Sequence, residues 1–82
     1  MWRTFWTRSL LGGALSGQRK FAEAEPLLVA GYEGMLAHYD QIPVPERILL
    51  TEAAQRSVEL YAAWGKKEKA DEWRARLKRK TI

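Results

Sequence analysis

The sequence predicts an all-α chain of four helices, and three observations carry that expectation. Apolar residues recur at intervals of three and four along four successive stretches. No segment alternates apolar and polar residues as a half-buried strand does. The stretches are separated by turn formers: Gly17, the two-proline segment Asp40 to Pro45, and Gly65.

The first stretch runs from about Trp2 to Ser16 and stops at Gly17, a residue suited to the left-handed position after a helix. In the second, Phe21, Ala24, Leu28, Gly31/Tyr32, Met35 and Tyr39 form an amphipathic face. Pro26 places that helix's start near Ala22 or Glu23, because proline is tolerated where the backbone N–H has no partner. Asp40 to Pro45 reads as an extended connection, since proline disfavours helix at the residue before it. The third stretch starts near Pro45 or Glu46 and ends at Gly65. Leu49, Ala53, Leu60 and Trp64 lie on one of its faces, and Leu50, Ala54, Val58 and Tyr61 on the adjoining one, so it should be central. The fourth, from Lys66 or Lys67 to about Lys80, keeps a thin stripe of Ala70, Trp73 and Leu77. Short links make consecutive helices antiparallel neighbours.

Composition bounds the function. With 82 residues the chain makes a single domain, 1–82. It is 46% apolar and 29% charged, the balance of a folded domain. No apolar run approaches the roughly 18 residues of a membrane span, so no membrane partner is expected. Cysteine is absent, which removes disulfides, thiolate catalysis and cysteine-containing zinc sites. His38 is the one histidine, and near the end of the second helix it suits a capping role. The carboxylate pairs Glu23/Glu25 and Asp71/Glu72 point to different sides of their helices, so they make no acid–base pair. No catalytic residue, metal site or cofactor is therefore expected, and the chain reads as a non-enzymatic module. The start, Met1 to Leu15, loosely imitates a signal peptide. Its apolar stretch is shorter than the about 7–15 residues such a segment needs, so the expected location is cytoplasmic.

Charge is uneven. Lys66 to Lys80 holds eight basic residues against three acids, and the rest of the chain is close to neutral. A solvated final helix with cations near its negative dipole end accounts for this. The alternative is a small basic helical domain that binds nucleic acid through Arg74 to Lys80. No aromatic interleaving or nucleic-acid motif accompanies the cluster, which counts against it.

The two halves superpose at a shift of 46 residues: Phe21 falls on Lys67, Ala24 on Ala70 and Leu15 on Tyr61. A helix–turn–helix with a large residue late in its first helix and a small one early in its second resembles the tetratricopeptide repeat. Leu11 and Gly12 stand where that family has its Leu-Gly pair. The 46-residue shift exceeds the usual period of about 34. Ser57 and Val58 replace the second Leu-Gly pair, and Lys67 replaces an aromatic. Ala22 to Leu28, Ala-Glu-Ala-Glu-Pro-Leu-Leu, resembles the long repeats of kinesin light chains. With Trp64-Gly65-Lys66 and Glu72-Trp73-Arg74, it is similar to the C-terminal repeat regions of some bacterial serine/threonine kinase-related proteins. No ATP loop, His-Arg-Asp or Asp-Phe-Gly occurs. The resemblance implies a right-handed α-solenoid fragment, with repeat one at about 2–39, a linker at 40–45 and repeat two at about 46–80. It implies a scaffolding module that binds a protein or peptide, as a piece of a larger repeat array.

The family's groove positions fall on Trp6, Ser9, Gly13 and Ser16 of the first helix, and on Glu52, Gln55, Glu59 and Ala62 of the third. Glu52 and Glu59 would favour a basic or amide-rich segment. Trp2, Phe5 and Trp6 form an aromatic cluster near the start. They either complete the chain's own core or bury against a second copy, and a homodimer is the second expectation because two repeats are fewer than the three usually needed.

Overall fold

The structure, a computed structural model, describes the backbone of residues 2–80 and the side chains of residues 2–77. Met1, Thr81 and Ile82 lie outside the described residues, as do the side chains of Lys78, Arg79 and Lys80 from the basic cluster. Four helices form: α1 (Trp2–Gly17), α2 (Phe21–Ala37), α3 (Ile48–Trp64) and α4 (Lys67–Lys80). The described residues contain no strand, as the sequence predicts. Helix α1 packs on α2 and α3, α2 packs on α3, and α3 packs on α4.

Two helical hairpins result, and their turns are built alike. In the first, Lys20 N–H donates to the Leu15 carbonyl at 2.9 Å and Arg19 N–H to Ser16 at 2.9 Å. In the second, Lys66 N–H donates to Tyr61 at 2.8 Å and Gly65 N–H to Ala62 at 3.3 Å. Each pair of bonds is the Schellman closure of a helix end, which requires a left-handed residue. Gly65 supplies it at φ 83°. In the first hairpin Arg19 does so at φ 63°, while Gly17 remains inside α1. The expectation for Gly17 is thereby corrected: the helix runs one residue past Ser16, and the left-handed position falls two residues beyond Gly17.

Helix α2 starts at Phe21, ahead of the expected Ala22 or Glu23, and runs through Pro26. Pro26 and Ala22 are both exposed, so the carbonyl that loses its N–H partner faces water. The connection to α3 is less extended than the prolines suggest. Two short 3₁₀ turns, Tyr39–Gln41 and Val44–Glu46, flank a single extended step at Ile42 and Pro43, and α3 begins at Ile48. Ile42 is buried in the core, and its burial draws the chain back toward the bundle. Arg47 holds this return, donating from Nε to the Ile42 carbonyl at 3.1 Å while its guanidinium covers the Tyr39 ring.

One core joins the four helices, from Trp2 through Leu28, Tyr32, Met35, Leu50 and Leu60 to Trp73. Ala24 and Ala70, the small residues of the internal repeat, are both buried. The tightest crossing is α1 on α2. A Cβ on Gly31 would lie 2.8 Å from the Phe5 carbonyl oxygen and 3.0 Å from the Ser9 nitrogen, and one on Gly34 would enter the Phe5 ring.

Arg19→Gly should raise stability by up to about 1 kcal/mol, because glycine removes the left-handed strain of an L-residue; a rise of a few degrees in the thermal melt checks it. Gly31→Ala should lower stability by about 1–3 kcal/mol, because the added methyl meets backbone that cannot yield. Chemical denaturation measures that loss.

Candidate functional site

The family-derived groove positions do not come together as one open surface. On α1 the sequence places small residues at Ser9, Gly12, Gly13 and Ser16, and small residues let other elements approach closely. Ser9 is fully buried. The Arg56 side chain of α3 lies across Gly13, with Cδ 3.1 Å from where a Cβ would stand. Arg56 Nη1 donates to Ser9 Oγ at 3.3 Å, and Nη2 stands 3.9 Å from Glu52 Oε1. Trp6 is half-buried against the core, and its Nε1 has no hydrogen-bond partner. In this half of the expected groove, Ser9 and Gly13 are covered by Arg56 of α3, while Trp6 and Ser16 are partly buried.

The other half is open. Glu52, Gln55, Glu59 and Ala62 are exposed along α3, and Gln55 Nε2 donates to Glu59 Oε2 at 3.4 Å. The internal repeat explains the asymmetry. These four are the 46-residue equivalents of Trp6, Ser9, Gly13 and Ser16. Arg56 of α3 covers Ser9 and Gly13 on α1, whereas among the described residues no further helix follows to cover the positions on α3. Sequence reasoning missed Arg56. Its signal was the run of small residues on α1, which marks a close crossing rather than an open wall.

The aromatic cluster faces inward. Trp2 is buried, with its ring 6.5 Å from that of Trp6. Phe5 fills the space above Gly34 and stacks on His38 at 5.5 Å. His38 Nδ1 donates to the Gly34 carbonyl at 2.8 Å, so this histidine caps α2. Trp2 is therefore not presented to a second copy, and Phe5 and Trp6 are only partly exposed.

A cleft of about 400 Å³ lies between α2 and α4. Its floor includes Tyr61, Val29 and Trp73, and its walls carry Glu25 and Glu33 from α2 and Lys69, Glu72 and Arg76 from α4. Tyr61 Oη donates to Glu25 Oε2 at 2.8 Å. Burial, followed by that bond and the Glu25 charge, pushes the Tyr61 phenol well above its usual range. The two cations lie over the aromatic floor, Arg76 at 4.4 Å from the Trp73 ring and Lys69 at 5.7 Å from the Tyr61 ring. Lys66 likewise lies over the Trp64 ring, and Arg74 forms an ion pair with Asp71 at 3.0 Å. No group of histidine and carboxylate side chains among the described residues is arranged to hold a metal ion.

No helix among the described residues is long and apolar enough to cross a membrane. Comparison with protein-family models, with curated proteins and with solved structures finds no match to this chain.

The Tyr61 geometry predicts an alkaline limit to stability. The folded state holds the phenol protonated, so its contribution is complete below the ordinary tyrosine value of about 10 and is lost as pH rises above it. Melting temperature should fall above that pH, and Tyr61→Phe should flatten the fall while costing about 1 kcal/mol at neutral pH. Melts across the alkaline range test both.

Proposed function

We propose that this chain is a non-enzymatic protein–protein interaction module of the tetratricopeptide type, a piece of a larger repeat array acting in the cytoplasm. The observation that carries the reading is the repetition of one hairpin at a fixed 46-residue shift. Helix starts at Trp2 and Phe21 recur at Ile48 and Lys67. The closure of Leu15 by Lys20 recurs as Tyr61 by Lys66, and the bond from Ala24 N–H to Lys20 recurs from Ala70 to Lys66. Repeated hairpins of this kind bury a continuous core and leave helix faces free for partners.

The face offered is that of α3. Glu52 and Glu59 stand exposed one turn either side of Gln55. Arg56 is drawn inward onto Ser9 and only partly offsets them. A basic or amide-rich peptide fits this face, with charge setting its orientation and encounter rate.

Short lysine- and arginine-containing peptides selected from a displayed library should bind the folded chain, with amide NMR shifts changing along α3 from Glu52 to Ala62. The double variant Glu52→Lys, Glu59→Lys should weaken binding about tenfold or more without altering the melt. Shifts confined to α4, or an unchanged affinity in the variant, would overturn the assignment of this face. So would tight nucleic-acid binding that collapses with added salt.

A further inference from the structure

The cleft between α2 and α4 carries side chains that the internal repeat does not account for. At the 46-residue shift its Tyr61, Lys69, Trp73 and Arg76 fall on Leu15, Glu23, Leu27 and Ala30. The hairpin framework recurs, but the aromatic and cationic groups are particular to the second hairpin. The repeat therefore does not dictate the chemistry of this cleft.

Its floor is fixed before anything binds. Trp73 is 5% exposed and packs edge-on against the Tyr32 ring, with centroids 4.9 Å apart. Tyr61 is held by its bond to Glu25 and by the Trp64 ring stacked 6.5 Å away. Pro26 and Val29 add an apolar edge from α2. The volume of about 400 Å³ lies within the roughly 300–1,000 Å³ of small-molecule sites.

The two walls differ in sign. Helix α2 contains no lysine or arginine and presents Glu25 and Glu33. Helix α4 presents Lys69 and Arg76, with Glu72 between them in sequence. None of these five side chains forms an ion pair with another described residue. The cations rest over the aromatic floor instead, and opposite charges face one another across an unclosed gap.

We propose that this cleft binds a zwitterion, a free amino acid with an aromatic side chain. Its ammonium meets the α2 wall at Glu25 and Glu33, its carboxylate meets Arg76 and Lys69, and its ring lies on the Val29–Trp73 floor. The mixed walls are what select this class. A cation alone would sit beside Lys69 and Arg76, and an anion alone would sit beside three carboxylates, so each half-ligand meets an opposing charge. Arg76, stacked 4.4 Å from the Trp73 ring centre, keeps its N–H edge for a carboxylate, which it can take by two parallel bonds. The preformed floor spares the ligand the cost of ordering it. This site shares no residue with the Glu52–Glu59 face and goes beyond the interaction-module reading.

Three probes that differ in charge test it on the whole chain: L-phenylalanine, phenethylamine, which lacks the carboxylate, and phenylpropionate, which lacks the ammonium. In NMR titrations L-phenylalanine should shift the Trp73 indole N–H and the amides of Glu33 and Arg76, and each half-ligand should bind about tenfold or more weakly. Glu33→Gln should weaken L-phenylalanine and leave phenylpropionate unchanged. Arg76→Gln should weaken L-phenylalanine and leave phenethylamine unchanged, and thermal melts should match the parent in both variants. Phenethylamine binding as well as L-phenylalanine would make this a cation site, and phenylpropionate doing so would make it an anion site. Either result, or no shift at Trp73 with any probe, overturns the proposal. None of these outcomes bears on peptide binding at α3, so the two readings fail separately.

Discussion

The rest of the fold depends on the close crossing of α1 and α2 at Gly31. Phe5 and Ser9 of α1 come within contact of a Cβ that glycine does not have. The approach lets the Phe5 ring lie over Gly34, where it stacks on His38. It also brings the start of α1 close enough for Trp2 to enter the core. With α1 and α2 held together, Leu28 fits beneath Gly12, where an added methyl would meet the leucine Cγ at 2.7 Å. The hairpin then presents the small residues Ser9 and Gly13, over which Arg56 extends to seat α3. A partly buried guanidinium is costly unless hydrogen-bonded, and Ser9 and Glu52 supply its partners.

The second hairpin uses the same turn at a different local cost. Gly65 enters the left-handed region freely, whereas Arg19 pays about 1–2 kcal/mol there as an L-residue. What offsets the strain is visible around it. The closure bonds satisfy carbonyls at the end of α1, and the Arg19 guanidinium lies 5.4 Å from the Phe21 ring centre. Phe21 stacks in turn on Trp64, the last residue of α3. The strained turn is thus clamped from the second hairpin, which links local backbone geometry to packing between repeats.

Local rules made much of this legible in the sequence. Gly65 ends a helix because glycine alone enters the left-handed region without strain, and Ala24 and Ala70 are small because buried crossings demand it. The apolar periodicity located all four helices to within two or three residues. What escaped was decided by distant partners. Nothing near Arg19 in the sequence marks it as left-handed; Phe21 and Trp64 hold the turn around it. Two prolines predict an extended link, but burial of Ile42 curls it. By sequence alone Trp2 could complete the core or meet a second copy; in the fold it lies buried in the core cluster. The wall assigned to Trp6, Ser9 and Gly13 depended on whether α3 lay over it, which turns on the reach of one arginine from elsewhere in the chain.

The same distinction governs the charge. Read along the sequence, the basic run in α4 looks like a surface awaiting a polyanion. In the fold two members of that run, Lys69 and Arg76, line the cleft toward α2, whose Glu23, Glu25 and Glu33 have no basic residue among them. Across the α2–α4 cleft Glu25 and Glu33 share the walls with Lys69 and Arg76. Each such exposed pairing is worth little, typically under about 1 kcal/mol, and salt screens it. Their summed effect is on the field rather than on stability. The acidic helix lowers the positive potential that α4 would otherwise project, and the aromatic rings of Tyr61, Trp64 and Trp73 hold Lys69, Lys66 and Arg76 against the bundle. Around this cleft the surface is thereby of mixed sign. On α3, Glu52 and Glu59 stay exposed and are offset only in part by Arg56, which stands 3.9 Å from Glu52 and turns inward onto Ser9 to hold the two hairpins together.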